Sequence, residues 1–485
     1  MTDRKLLIGG EWVDGAAGGY DVINPANEEI VGVAPEASAA QALDAARAAQ
    51  TAFPAWSQTT PEERSELLAK AGAAIKRHYK DLLPTVIAET GCTQTVGKQM
   101  QVPTAWTRFE TYSRMALDPT VIPLPPQEMP GTALAPGGLM GAIARRQPIG
   151  AVACITPYNF PIVNMAGKLG PALAMGNTVV VRPASQNPLA VIDLIGILHE
   201  VGFPPGVVNV VTGSTPATGE ALVETRDIDM VSFTGSTGVG MRIGEVGGRT
   251  MKRMLLELGG KGAALVFDDA DVKTAVQMIG SVWTFHSGQI CTAPTRAIIQ
   301  RPIYDQVVEG LAKMAKVLKV GDPYEPDTVL GPMITAQHRD RVESYIRAGR
   351  DEGGEILAGG ERPEKPERGF YVAPTLIAGC RPGMKVVQEE IFGPVIVAVP
   401  FDDDDEGIAI SNGTDFGLYD YVFSRDTNRA FRASKRMRAG NIGINTTQRN
   451  HNAPFGGNKM SGIGRDGGAF GLYAYSELQS VVWPG

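Results

Sequence analysis

Apolar and polar positions change period several times along the 485-residue chain, and each change predicts an element. Near the start, Ile8 to Val13 and Tyr20 to Ile23 read as two short strands joined through a Gly-rich turn, a hairpin that ends at Asn24-Pro25. From Ala37 to Gly91 apolar and alanine residues recur at helical spacing. Within that run Thr60-Pro61-Glu62-Glu63 is a helix start, with a hydroxyl at the N-cap, proline at the first helical position and acids in the first turn. Between Asp118 and Gly141 the composition shifts to Pro, Gly and small residues over a stretch too long for a tight turn, which predicts an excursion from the first domain.

A different rhythm follows. Pro148 to Ile155, Asn177 to Val181, Val207 to Val211 and Met230 to Phe233 are strand-like runs rich in Val and Ile, separated by helical stretches from Asn164 to Met175 and from Asn187 to Val201. Strands alternating with helices are the mark of parallel βαβ units. The rhythm restarts after Gly259-Gly260, with a strand at Ala263 to Phe267 and a helix from Asp271, and continues to about Asn445. The predicted class is α/β with two doubly wound sheets. The acidic run Asp402 to Glu406 reads as a solvated helix start rather than a cation site.

Composition narrows the function. With 43% hydrophobic and 20% charged residues the chain is globular and divides into about two or three domains. A formal charge of −7 gives no basic footprint for nucleic acid. Cys92, Cys154, Cys291 and Cys380 are far apart, so neither a disulfide framework nor a zinc knuckle is indicated, and a reducing, cytoplasmic setting fits. Met1 to Gly10 holds two basic residues and only a short apolar stretch, and no later run is long enough to span a bilayer. His78, His199, His286, His338 and His451 form no ligand spacing, so no metal is expected, and no Gly-x-Ser-x-Gly elbow is present.

Four constellations carry chemistry. Phe233-Thr234-Gly235-Ser236-Thr237-Gly238-Val239-Gly240 follows a strand and precedes a helix, where glycines let backbone approach a phosphate, although a plain structural turn has the same composition. Leu256-Glu257-Leu258-Gly259-Gly260 offers a carboxylate that burial would turn into a general base, or else a glutamate beside a glycine turn. Gly288-Gln289-Ile290-Cys291-Thr292 offers a thiol nucleophile or a buried small hydrophobe. A dyad of Cys291 with His286 is disfavoured because a five-residue helical offset puts the two on different faces. Thr156-Pro157-Tyr158-Asn159-Phe160-Pro161 holds an asparagine between two prolines, an oxyanion donor or a turn residue.

In their order and spacing, these pieces resemble the aldehyde dehydrogenase superfamily over essentially the whole chain. Gly167 to Ala174, Gln388 to Val395, Pro454 to Gly457 and Ser461 to Arg465 extend the resemblance. It implies two Rossmann-like domains plus a small β oligomerisation arm. The cofactor would be bound by 1–117 and 148–258, catalysis carried by 259–450, and the arm built from 118–147 and 467–485. It further implies Cys291 as nucleophile, Asn159 as oxyanion donor, Glu257 as the base for thioester hydrolysis, and Lys168 and Glu477 in proton relay. NAD or NADP would lie against Thr156, Pro157, Arg182, Ser185, Phe233, Gly235, Ser236, Leu258, Gly259, Glu390 and Phe392.

Three points of variation matter. Tyr158 stands where many relatives have tryptophan, and Gly262 where they carry Ser, Ala or a polar residue. At the adenosine ribose, Arg182 and Ser185 replace the usual lysine and acid, a pair able to accept a 2′-phosphate. The tail implies a homodimer or homotetramer. The positions expected to line the substrate tunnel, Phe109, Tyr112, Met115, Tyr158, Asn164, Ile290, Thr292 and the Thr446 to Phe455 loop, favour an aliphatic or aromatic aldehyde, while Arg108, Arg114 and Arg449 keep a carboxylated semialdehyde open. Within the family Glu257 argues against a CoA-acylating enzyme, and outside it the alternative is a non-catalytic protein that kept the fold.

Overall fold

A computed structural model describes residues 4–485, so the part of the leader reading that rests on Met1, Thr2 and Asp3 lies outside the described residues. The helical run resolves into Ala39–Ser57, Pro61–Arg77 and Tyr79–Thr90. Two of these helices open on reciprocal capping boxes. Thr60 Oγ1 accepts from Glu63 N at 3.2 Å while Glu63 Oε2 accepts from Thr60 N at 2.7 Å, and Ser38 and Gln41 repeat the arrangement. Each cap stabilises by about 1 kcal/mol because it satisfies N–H groups the helix itself cannot.

The first sheet has eight strands in the order Gly462–Ile463, Arg253–Glu257, Met230–Thr234, Ala151–Ile155, Thr178–Arg182, Val208–Val210, Leu6–Ile8 and Glu11–Val13. The five from Arg253–Glu257 to Val208–Val210 are parallel. From Ala151–Ile155 the chain winds outward one way through two strands, then returns to place Met230–Thr234 on the other side. The direction of winding therefore reverses between these two strands, leaving a crevice at their carboxyl ends. The second sheet has seven strands in the order Glu355–Ala358, Thr375–Ala378, Val395–Phe401, Arg296–Gln300, Ala263–Val266, Tyr419–Phe423 and Asn441–Ile444, all parallel except the first. Both sheets are buried on two faces, which is why their strands read as continuous runs of Val, Ile, Leu and Ala.

A third, antiparallel sheet stands apart: Ser476–Pro484 pairs with Gly138–Pro148, which pairs with Val121–Met129. It exposes Val121, Ile122, Leu124, Leu139, Val482 and Trp483.

The structure corrects three local expectations. The stretch Ile8 to Val13 is itself the bend of a hairpin, Leu6–Ile8 with Glu11–Val13, turning at Gly9 and Gly10 with φ of +63° and +92°. Such a pair of positive φ values is cheap only for glycine. Gly19–Ile23 pairs instead with Ile30–Pro35, so one expected hairpin is two. The helix placed at Asn164 starts at Pro161, which supplies its first turn. The tail from Gly467 is not strand throughout, since Gly468–Ala474 is a helix and pairing begins at Ser476.

Candidate active site

The carboxyl ends of the first sheet and the amino ends of the second face one another, and the singled-out residues gather there. Ala151–Ile155 delivers Thr156 to Phe160 into the helix Pro161–Ala174. That loop is locked: the backbone carbonyl of Asn159 accepts from Gln101 Nε2 at 2.9 Å, and that of Tyr158 from Asn187 Nδ2 at 2.6 Å. Asn159 Nδ2 donates to the carbonyl of Gln289 at 2.8 Å, tying this loop to the segment that carries the nucleophile. Its second N–H is free for another acceptor.

Cys291 is presented by a strained turn. His286, Ser287 and Gly288 all have positive φ, at 48°, 55° and 71°. A side chain at Gly288 would stand 2.2 Å from the carbonyl of Gly393, so only glycine closes the turn. Each non-glycine residue held this way costs roughly 1–3 kcal/mol, which the surrounding contacts must offset. His286 lies 5.1 Å from the Phe160 ring and is pushed down to about 4 by burial, so it is neutral and takes no part in a dyad. Burial pushes the Cys291 thiol up to about 12, opposed first by the charge of Arg449. A neutral thiol needs a base to become a nucleophile.

A candidate for that base is at hand. Glu257 ends the strand Arg253–Glu257, is 4% exposed, and neither of its carboxylate oxygens has a hydrogen-bond partner among the described residues. Burial raises its pKa well above the ordinary range, and the nearby Asp466 raises it further. Lys168, on the helix Pro161–Ala174, is 1% exposed; burial lowers its pKa while Asp466 and Glu257 oppose the shift. Its Nζ donates to Ser232 Oγ at 3.0 Å, and Ser232 Oγ lies 2.7 Å from Tyr475 OH.

Glu477 must be moved out of this group. Its carboxylate accepts from Arg253 Nε at 2.7 Å at the surface, and its backbone is in register with Gln147 in the third sheet. The acid whose charge reaches both Glu257 and Lys168 is Asp466, which directly follows the motif Ser461 to Arg465. Position immediately after that motif was the available signal. Ser232 and Tyr475 gave none, because a serine in an apolar strand and a tyrosine before a strand are ordinary. Among the expected tunnel residues, Phe109 is fully buried core, Tyr112 packs its ring against Gly170, and Arg114 is exposed on its helix away from these contacts.

A dinucleotide fits the crevice on independent grounds. The helix Thr237–Gly248 begins there with N-cap Ser236, whose side chain makes no capping bond, leaving N–H groups and the positive helix end for a pyrophosphate. At Gly235 a Cβ would meet the Phe233 ring at 2.4 Å, and at Gly240 it would meet Leu258 Cδ2 at 2.4 Å, so backbone alone lines this wall. Thr156 Oγ1 is buried beside it without a partner among the described residues. Toward the nucleophile, Glu390 accepts from Gly260 N at 2.8 Å and presses so closely on Gly259 that a Cβ there would lie 2.3 Å from Oε2. Phe392, held at φ 59°, meets Tyr158 edge-on at 5.9 Å. At the far end Arg182 already donates to the carbonyls of Pro183, Gly213 and Thr215, and Ser185 Oγ donates to Gln186 Oε1 at 3.4 Å. Among the described residues no cluster of His, Cys, Asp and Glu could hold a metal, and no helix is long and apolar enough to cross a membrane.

Known proteins share this architecture. The aldehyde dehydrogenase family model matches residues 12–481. Betaine aldehyde dehydrogenase of Bacillus subtilis is 35% identical, covering 99% of this chain and 97% of its own. A 3-succinoylsemialdehyde-pyridine dehydrogenase of Pseudomonas is also 35% identical, covering 99% and 98%. The crystal structure of Staphylococcus aureus betaine aldehyde dehydrogenase in complex with NAD+ superposes with a TM-score of 0.94 at 32% identity, over 99% of this chain and 94% of that one. With the crevice fitted for a dinucleotide and a thiol facing it, agreement over nearly the full length leaves one conclusion: the chain belongs to the aldehyde dehydrogenase family and is an NAD(P)-dependent enzyme.

Proposed function

We propose that the protein oxidises an aldehyde to a carboxylic acid through a thioester on Cys291 that water hydrolyses with Glu257 as base. The observation that carries this reading is the buried Glu257 carboxylate, both oxygens unpaired, close enough to Cys291 for its charge to act on the thiol. A raised carboxylate pKa makes it an effective proton acceptor near neutrality. Glu257 takes the thiol proton as Sγ attacks the carbonyl carbon. The carbonyl π electrons move to oxygen, and the free N–H of Asn159, with the Cys291 backbone N–H, receives the resulting oxyanion. Bound in the crevice, NAD(P)+ supplies the hydride acceptor. Having released the thiol proton by way of Lys168 and Asp466, Glu257 deprotonates the water that attacks the thioester carbon; the C–S bond breaks, the thiolate takes up a proton, and the acid leaves with the thiol restored. Lys168 and Asp466 position and share the proton that Glu257 gives up. Thr156, Gly235 and Ser236 line the pyrophosphate site, while Glu390 and Phe392 flank the nicotinamide end.

No carboxylate stands at position 185 to repel a 2′-phosphate, so either cofactor form is accommodated, although Arg182 is committed to bracing the 213–215 loop. The exposed apolar third sheet, with a free edge at Val121–Met129, supports assembly into a dimer or a dimer of dimers.

The test follows reduced-cofactor absorbance with a panel of aldehydes and NAD+ or NADP+. Turnover that is absent in Cys291→Ala supports the reading. No oxidation of any aldehyde, or a fully active Cys291→Ala, overturns it.

A further inference from the structure

One wall of the site carries two guanidinium groups that the chemistry above leaves without a task. Arg449 lies on the Phe455 ring, its Cζ 3.8 Å from the centroid, and has no carboxylate partner among the described residues although it is exposed. Phe455 is tied to Asp466 by two backbone bonds, 2.7 and 2.6 Å long, and the Asp466 carboxylate reaches Arg108 Nη1 at 3.9 Å. Gly456, the next residue, touches the proposed base: a Cβ there would lie 2.8 Å from Glu257 Oε1. Arg108 gains its place by crossing the helix Pro161–Ala174 at Gly167, where a Cβ would stand 2.1 Å from Nη1. Phe455, Gly456 and Asp466 therefore hold Arg449 and Arg108 on one wall beside Glu257.

The charges agree with this placement. Arg449 is the foremost charge acting on the Cys291 thiol, and Arg108 is the foremost charge acting on Arg449. Two cations on one wall raise each other's energy, and an anion held by both relieves that cost. Arg108 is paired with Asp466, whereas Arg449 feels Asp466 only as its weakest charge contribution and pairs with no carboxylate among the described residues, so Arg449 is the principal receptor. Asp466 adds negative potential to the same wall, which disfavours a dianion and leaves a singly charged, planar carboxylate as the best match to a guanidinium.

Building on the aldehyde oxidation proposed above, we infer that the substrate is a carboxylated aldehyde, its carboxylate held by Arg449 with Arg108 while its carbonyl meets Cys291. The wall then does what a tunnel of apolar residues alone cannot: it fixes the far end of the substrate and excludes the uncharged homologue.

The experiment compares kcat/KM for 4-oxobutanoate, 5-oxopentanoate and 6-oxohexanoate with butanal, pentanal and hexanal, using the full-length protein with NAD+ or NADP+. The wild type is expected to favour the carboxylated member of at least one matched pair by about 10- to 100-fold, the range a charge-assisted hydrogen bond spans. Arg449→Gln should collapse that ratio toward one, Arg449→Lys should keep part of it, and Arg108→Gln should lower it less than Arg449→Gln. Because the ratio is taken within each variant, loss of folded protein cancels. If Arg449 served only to activate the thiol, both members of a pair would slow equally and the ratio would survive, which overturns the inference. Equal use of both members by the wild type, or better use of glyceraldehyde 3-phosphate than of the carboxylated series, also overturns it. In those cases Cys291-dependent oxidation persists and the reaction assignment stands. Absence of any aldehyde oxidation overturns the two together.

Discussion

Removing the charge of Asp466 and removing that of Glu477 should have opposite signatures, and the contrast tests which acid serves Glu257. Asp466→Asn keeps the side-chain size and retains an oxygen to accept from Gly467 N, a 2.7 Å bond in the native protein. What it removes is the negative charge that acts on both Glu257 and Lys168 from a side chain only 16% exposed. A positioned acid or base contributes about 10²–10⁴ in rate, and Asp466 stands one step from the reacting atoms, so kcat should fall roughly 10- to 100-fold. The like charge of Asp466 helps hold the proton on Glu257, so its loss should move the acidic limb of the kcat profile to lower pH. Glu477→Gln removes an ion pair with Arg253 whose side chains are 63% and 38% exposed. Solvent screening leaves such a pair about 0.2–1 kcal/mol, so the melting midpoint should drop slightly while kcat and its pH limb stay put. The assay is steady-state turnover from acid to alkaline pH, with thermal unfolding alongside. A shifted limb in Glu477→Gln together with an unshifted one in Asp466→Asn would refute the reasoning.

Three further outcomes follow from the same geometry. Because the same carboxylate serves the thiol and the water, Glu257→Gln should slow both the first-turnover appearance of reduced cofactor and the following steady state, the latter by roughly 10²–10³-fold. In the wild type, the raised pKa of Glu257 means its proton is retained as pH falls, so kcat should decline toward acid with unit slope, and a burst followed by an unchanged steady state in Glu257→Gln would argue against the base. If position 185 faces the 2′ position as the resemblance implies, Ser185→Glu should reduce kcat/KM with NADP+ by about tenfold or more relative to NAD+; parallel cofactor titrations decide this, and an unchanged ratio counts against the placement. Glu89 accepts from Leu189 N and Ala190 N at 2.8 and 3.0 Å, capping the buried start of the helix Leu189–Val201. Glu89→Ala should destabilise by about 2–3 kcal/mol, since two buried donors lose their acceptor, and a urea midpoint equal to wild type would show that another group caps that end.

Much of this protein was determined by its sequence alone. Thr60-Pro61-Glu62-Glu63 specifies a helix start because capping and φ preferences are local, and the first turn adopts the arrangement those residues dictate. Strand runs such as Ala151–Ile155 and Thr178–Arg182 are apolar without alternation because both faces are covered, and alternation with helices then leaves a parallel sheet as the solution. Gly235-Ser236 and Glu257-Leu258-Gly259 were legible because a dinucleotide crevice and a turn against Glu390 demand small residues at fixed offsets from strand ends.

Tertiary structure decided what depends on distance between segments remote in the chain. Whether Glu477 or Asp466 faces Lys168 rests on where the strand Ser476–Pro484 leaves the helix Gly468–Ala474, and no local pattern encodes that departure. The hairpin at Gly9-Gly10 needed the partner strand Val208–Val210 to show which residues pair and which turn. In the sequence Arg449 was one of three arginines, with Arg108 and Arg114, that kept a carboxylated substrate open, and no local pattern chose among them. Phe455, Asp466 and Gly167 bring Arg449 and Arg108 to the wall beside Glu257, while Arg114 is left exposed on its helix. The physical reason is that hydrogen-bond caps and backbone torsions are settled within a few residues, whereas burial and Coulomb interactions depend on separations in space that only the folded chain sets.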